Sequence, residues 1–246
     1  RDESCQIMSG RGTGQVQRAD FYIGVHPNVW VGQAGRAIDF NILAADWDGE
    51  ADGTHPLNAV FSAVTWERSE RVTSYGVQVY SYIPRYNEIA RQDFATAADG
   101  TALVQFTPPG AGTYMLDVSG GGARTQVLLW VGGTSQAVWP NLPHDQVTLT
   151  ADRDSYQVGD TAQVFIPNPL GSQTIALVSV ERDAVHSTEI VDLGPSGTVL
   201  PLTLTEADAP NIYISATLIG GGAFLQGYVN LSVEDPGRVL NVELTT

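Results

Sequence analysis

The densest array of cation-ligating side chains in this 246-residue chain is Asp46-Trp47-Asp48-Gly49-Glu50-Ala51-Asp52-Gly53. Carboxylates at alternate positions, Asp46, Asp48, Glu50 and Asp52, are the ligand type that a hard cation such as Ca²⁺ takes from a loop. Two features weigh against that chemistry. The EF-hand pattern wants Glu at its twelfth place, and counted from Asp46 that place is Leu57. Asp-Gly pairs between alternating segments are also ordinary hairpin turns. The segment is therefore read as a strand connection, with Ca²⁺ ligation as the weaker alternative.

Nothing else in the sequence converges on a reaction. His26, His55, His144 and His186 stand apart, and the single cysteine, Cys5, offers no thiol partner at metal-ligand spacing. There is no Gly-x-Ser-x-Gly elbow to present a nucleophilic serine. Gly10-Arg11-Gly12-Thr13-Gly14 has the look of a phosphate cradle, but such a loop must open a helix, and Gln15-Val16-Gln17-Arg18 continues it with a strand pattern. Trp30, Trp47, Trp66, Trp130 and Trp139 could stack on sugars, yet their scatter along the chain favours places in apolar cores. Asn230-Leu231-Ser232 matches a glycosylation acceptor but sits inside a strand pattern. No catalytic residue, cofactor or enzymatic activity is expected.

Composition narrows the partners. Asp and Glu number 27 against 12 Arg and no Lys, a net charge of −15 that repels phosphate backbones and anionic lipid. Nucleic acid and direct membrane insertion are not expected, and no apolar run approaches the ~18 residues of a membrane helix. A lone Cys5 forms no internal bridge, so packing alone must hold the fold. The chain opens on Arg1 without a leader, which reads as an internal fragment or a processed product of an extracytoplasmic protein, whether secreted, periplasmic or at the cell surface.

The elements that would position these groups are strands. Ala37-Ile38-Asp39-Phe40-Asn41-Ile42, Ala102-Leu103-Val104-Gln105-Phe106 and Val229-Asn230-Leu231-Ser232-Val233 alternate with period two. Asp99-Gly100, Gly120-Gly121-Gly122, Gly194-Pro195-Ser196-Gly197 and Gly220-Gly221-Gly222 punctuate them as turns. One helical turn or two is predicted from Pro84 to Gln92, and an elongated strand or hairpin from Glu70 to Tyr82. An internal repeat, Trp30-Val31-Gly32 followed by a strand and Tyr156-Gln157-Val158-Gly159 followed by a strand, implies two copies of one unit. The expected architecture is all-β: two immunoglobulin-like antiparallel sandwiches in tandem, at 20–133 and 146–246. Residues 134–145 form a stiff, proline-bearing linker between them, and 1–19 form the terminal strands of a preceding domain.

The second unit carries the more specific segments. Leu149 to Ala162, Ile166-Pro167-Asn168-Pro169, Ala176-Leu177-Val178-Ser179-Val180-Glu181-Arg182, Ala209-Pro210-Asn211 and Gly227-Tyr228-Val229-Asn230-Leu231 resemble a macroglobulin domain of bacterial α2-macroglobulins. Asp20 to Val25 and Ala45-Asp46-Trp47-Asp48-Gly49 resemble the macroglobulin domain before it in that family. The resemblance implies a broad-spectrum protease inhibitor in which a bait segment is cut and a multidomain shell rearranges around the attacking protease. In many members a Cys-x-Glu-Gln thioester then links to the target. Here Cys5-Gln6-Ile7-Met8 lacks the Glu and Gln, and there is no long irregular bait segment. The implied role is a structural segment, partnered by neighbouring macroglobulin domains of a larger chain whose targets are proteases. The alternatives are an Ig-like repeat of a bacterial surface stalk or adhesin and a carbohydrate-binding accessory module.

Overall fold

The computed structural model describes residues 19–72, 75, 78–134, 137, 139, 146–171, 174–234 and 237. Cys5, the Gly10–Gly14 loop, His144, residues 1–18 and most of 134–145 lie outside the described residues.

The first half comprises β1 (Tyr22–Pro27), β2 (Val31–Gln33), β3 (Ile38–Ala45), β4 (Pro56–Val72), β5 (Gln78–Ala95), β6 (Thr101–Phe106), β7 (Gly112–Gly120) and β8 (Ala123–Gly132). Sheets ordered β1-β3-β6 and β2-β8-β7-β4-β5 face each other. Period-two patterning decides which side chains meet. On β3, Ile38, Phe40, Ile42 and Ala44 point inward against Phe61, Phe106, Leu116 and Val118, while the intervening side chains stay outside.

The second half repeats the plan with β9 (Thr150–Ala151), β10 (Ser155–Gln157), β11 (Thr161–Pro167), β12 (Thr174–Glu181), β13 (Val185–Leu193), β14 (Gly197–Thr203), β15 (Asn211–Gly220) and β16 (Ala223–Glu234). Its sheets run β14-β11-β9 and β10-β16-β15-β12-β13. Taken in chain order, strand for strand, both orders match the first half. The repeat seen in the sequence has a structural counterpart: β2 pairs parallel with β8 through Val31↔Trp130, and β10 pairs parallel with β16 through Ser155↔Ser232. This is an all-β, immunoglobulin-like sandwich fold with two separate apolar cores, one drawn from residues between Phe21 and Val131 and the other from residues between Val147 and Val233.

The helix expected from Pro84 to Gln92 is not formed. Those residues belong to β5, which pairs with β4 from Pro56↔Ala95 to Val72↔Gln78 around a bulge at Phe61/Ser62. β5 is the last strand of its sheet, and an edge tolerates the missing proline N–H. A short helix without a buried apolar face cannot compete with that much cross-strand pairing. β4 pairs with β7 only from Asn58 to Val64, so beyond Val64 the hairpin continues as a two-stranded ribbon.

Candidate functional site: the junction between the sandwiches

The carboxylate loop after β3 is closed on itself. Asp46 Oδ1 accepts the backbone N–H of Asp48 at 2.9 Å and of Glu50 at 3.0 Å, an Asx turn that consumes the ligand nearest the strand. At the far end Asp52 turns away to His55, Oδ2 to Nε2 at 2.9 Å, and the His55 ring stacks on Phe21 with centroids 3.8 Å apart. Asp48 and Glu50 remain at the surface. Among the described residues no group of three or more His, Cys, Asp or Glu side chains is arranged to hold a metal ion. His186 faces Asp183 at 3.1 Å, and His26 is exposed on β1.

Side chains that the sequence leaves unrelated meet instead where the two sandwiches touch. Trp130 on β8 points away from the first core, Phe165 on β11 points away from the second, and Trp139 from the intervening segment fills the space between them. Ring centroids lie 5.1 Å apart for Trp130–Trp139 and 5.6 Å for Trp139–Phe165, the latter edge to face, which suits the quadrupoles of aromatic rings. Trp139 is 5% exposed and Phe165 2%. Trp30, Val31, Ala111 and Ala137 complete the cluster.

A polar clasp lies beside these rings. Ser196 Oγ accepts the Gly133 N–H at 2.9 Å and donates to the Gly133 carbonyl at 2.7 Å, joining the end of β8's segment to the loop before β14. Asn168 holds that loop in place. Fully buried, its Nδ2 donates to the carbonyls of Gly171 and Gly194, and its Oδ1 accepts from Leu170 and Gly171 N–H, each at 3.2 Å. Gly197 is required here, because φ is +122° and a Cβ would sit 2.4 Å from the Ile166 carbonyl oxygen. The shallow groove of about 440 Å³ along this junction is lined by residues such as Trp30, Gln33, Thr134, Gln163 and Ser196, and among the described residues by no titratable side chain.

Two buried tyrosines brace the loops nearby. Tyr156 donates to Asp152 Oδ1 at 2.7 Å and accepts from Arg153 N–H at 3.0 Å; burial, then the Asp152 carboxylate, drive its phenol far above the ordinary range. Tyr114 donates to the Gly110 carbonyl at 2.8 Å, and burial raises its pKa too.

Reading the tryptophans as core residues missed the junction. Neither main core contains a Trp; Trp47 is 56% exposed, with its Nε1 on the Ala19 carbonyl, and three of the others gather between the sandwiches. One sequence signal pointed there. Val164-Phe165-Ile166 breaks the alternation of β11, as a strand buried on both faces does.

Residues 147–246 match the family model described as the α2-macroglobulin bait region domain. Over 205 residues, 81% of this chain and 10% of the relative, the sequence is 21% identical to an α2-macroglobulin homolog of Nostoc sp.. Over 189 residues, 68% of this chain and 12% of the relative, it is 26% identical to the α2-macroglobulin of Ralstonia nicotianae. These matches support the α2-macroglobulin family for this chain, with the family model lying on residues 147–246.

It spans about a tenth of the length of those curated relatives. The native conformation of Escherichia coli α2-macroglobulin overlaps 91% of this chain and 16% of its own, at 21% identity and a TM-score of 0.41. A Salmonella α2-macroglobulin mutant overlaps 89% and 15%, at 20% identity and 0.40. The α2-macroglobulin match names the bait region, whereas the described residues of 147–234 are strands joined by short connections, so a long irregular segment is not among them. Asn168, from the Ile166–Pro169 stretch that carried the resemblance, is the residue that fixes the clasp loop.

Proposed function

We propose that this chain is a scaffolding segment of a bacterial α2-macroglobulin-like, broad-spectrum protease inhibitor acting outside the cytoplasm. Its two sandwiches set the spacing and angle of neighbouring macroglobulin domains, while the bait and any thioester are supplied elsewhere in a longer chain. The observation that supports this most is the junction: three aromatic rings and the Ser196–Gly133 clasp join the sandwiches into one block, and among the described residues no titratable group lines the groove beside them. A shell that rearranges around a protease needs stiff struts between its moving joints, and aromatic packing closed by reciprocal hydrogen bonds supplies one.

In this role the isolated chain neither cleaves nor inhibits proteases. The test adds it in molar excess to trypsin-like and subtilisin-like enzymes and follows hydrolysis of a protein substrate. Full residual activity, set against inhibition by the full-length gene product, is the expected pair of results. Stoichiometric inhibition by the isolated chain, or none by the full-length product, overturns the assignment.

A further inference from the structure

The outer faces of the two five-stranded sheets differ in a way that scaffolding of this segment alone does not explain. On the first sandwich this face is laced with charge. Arg124 pairs with Asp117, Gln126 donates to Asp117 at 2.7 Å, and Arg91 bridges Glu88 and Asn58. Leu128 and Tyr86 are exposed on this face too, but they stand among these charged and polar groups.

On the second sandwich the equivalent face carries an apolar strip beside neutral polar side chains such as Ser179, Thr217 and Gln226. The register sets Leu177 opposite Ile190, Ile175 opposite Ile219 across β12 and β15, and Ile219 opposite Phe224, so these side chains form one continuous strip. Ile190 is 68% exposed and Phe224 53%. Beyond them Tyr228, 67% exposed, meets Tyr213 edge to face with centroids 6.0 Å apart. A groove of about 840 Å³ adjoins the strip at Phe224 and Tyr228, with Ser179, Glu181, Thr217 and Gln226 also in its lining. Seven large apolar side chains on one sheet face exceed the scattered exposure of an ordinary monomer surface and mark an interaction site.

The charges around this strip restrict what covers it. Strands β12, β13, β15 and β16 contain none of the 12 arginines, and Glu181 and Asp192 stand at opposite ends of the outward-facing rows. A second copy of a chain with net charge −15 would bring like charges together. The fitting partner has an apolar centre and a cationic rim, and a pleated face of this width packs best against another sheet, about 10 Å away. We infer that this face docks a further β-sheet domain of the same polypeptide, through an apolar centre with Arg or Lys of that domain on Glu181 and Asp192. The inference rests on the reading of this chain as a segment of a longer one, where a tether raises the effective concentration enough for a modest interface to stay closed.

The experiment is hydroxyl-radical footprinting of Tyr228, Phe224 and Tyr213, with the isolated chain and the full-length gene product compared side by side. Docking takes Tyr228 to core-like exposure and lowers its labelling by roughly tenfold in the full-length product. The double variant Glu181→Arg, Asp192→Arg, which leaves the apolar strip intact, restores most of that labelling. Leu177→Glu does the same if the variant folds, as judged by its circular dichroism. Equal labelling of Tyr228 in both contexts overturns the inference, as does concentration-dependent protection in the isolated chain, which would assign the face to a second copy. Protease inhibition, measured on the same samples, separates the two claims: an inhibitory product with Tyr228 fully labelled sinks the docking face and leaves the scaffold reading standing.

Discussion

Replacing Trp139 with Ala tests the junction most directly. The indole is 5% exposed and touches Trp130 of one sandwich and Phe165 of the other. A buried Trp removes roughly 150–250 Å² from water, worth about 4–6 kcal/mol at 25 cal/mol per Å² as an upper bound. Truncations of this kind in closed sites cost about 3–5 kcal/mol. Because Trp139 belongs to neither main core, that loss falls on the coupling between sandwiches rather than on either one. Scanning calorimetry should show the less stable sandwich unfolding roughly 10 °C earlier, as a separate transition. Small-angle scattering should show the rigid two-lobed profile broadening. Trp47→Ala, at a ring that is 56% exposed, should change stability by no more than about 0.5 kcal/mol. If Trp139→Ala leaves both the calorimetric coupling and the scattering profile unchanged, the rings do not join the sandwiches and the strut argument is wrong.

Four further outcomes follow from particular groups. Asn168→Ala should lower the second sandwich's stability by roughly 2–4 kcal/mol in denaturant titration, since it takes the acceptor from the Leu170 and Gly171 N–H groups while the Gly171 and Gly194 carbonyls keep Thr174 and Gly197 as donors. Gly227→Ala should be severe, because the new Cβ would lie 1.9 Å from the Val147 carbonyl oxygen, and soluble yield with urea midpoint reads it out. Asp117 is held below the usual carboxylate range, chiefly by the Arg124 hydrogen bond, so its contribution is complete at neutral pH and fades as pH falls below about 4; Asp117→Asn should flatten the acid limb of the stability profile there. Ca²⁺ titration should leave the melting temperature unmoved, since Asp46 and Asp52 are engaged within the protein, and a saturable rise would show the four carboxylates closing on the ion.

What the sequence determined by itself is what local periodicity controls. Alternation at Ile38–Ala44 and at Ile212–Leu218 chooses the buried face of each strand, and Gly-rich triplets such as Gly120–Gly122 close the hairpins, because side-chain direction and positive φ are properties of a few adjacent residues. The repeat at Trp30 and Tyr156 likewise announced two copies of one topology. Tertiary structure decided what depends on neighbours far along the chain. Pro84–Gln92 became a strand because β4 lay beside it, and Trp30, Trp130 and Trp139 became a joint because two outer faces met. The exposed strip of Ile175, Leu177, Ile190 and Phe224 was hidden for the same reason. A period-two pattern records that alternate residues differ, and an apolar residue on the outward half of that pattern announces itself only when the sheet is assembled and nothing covers it.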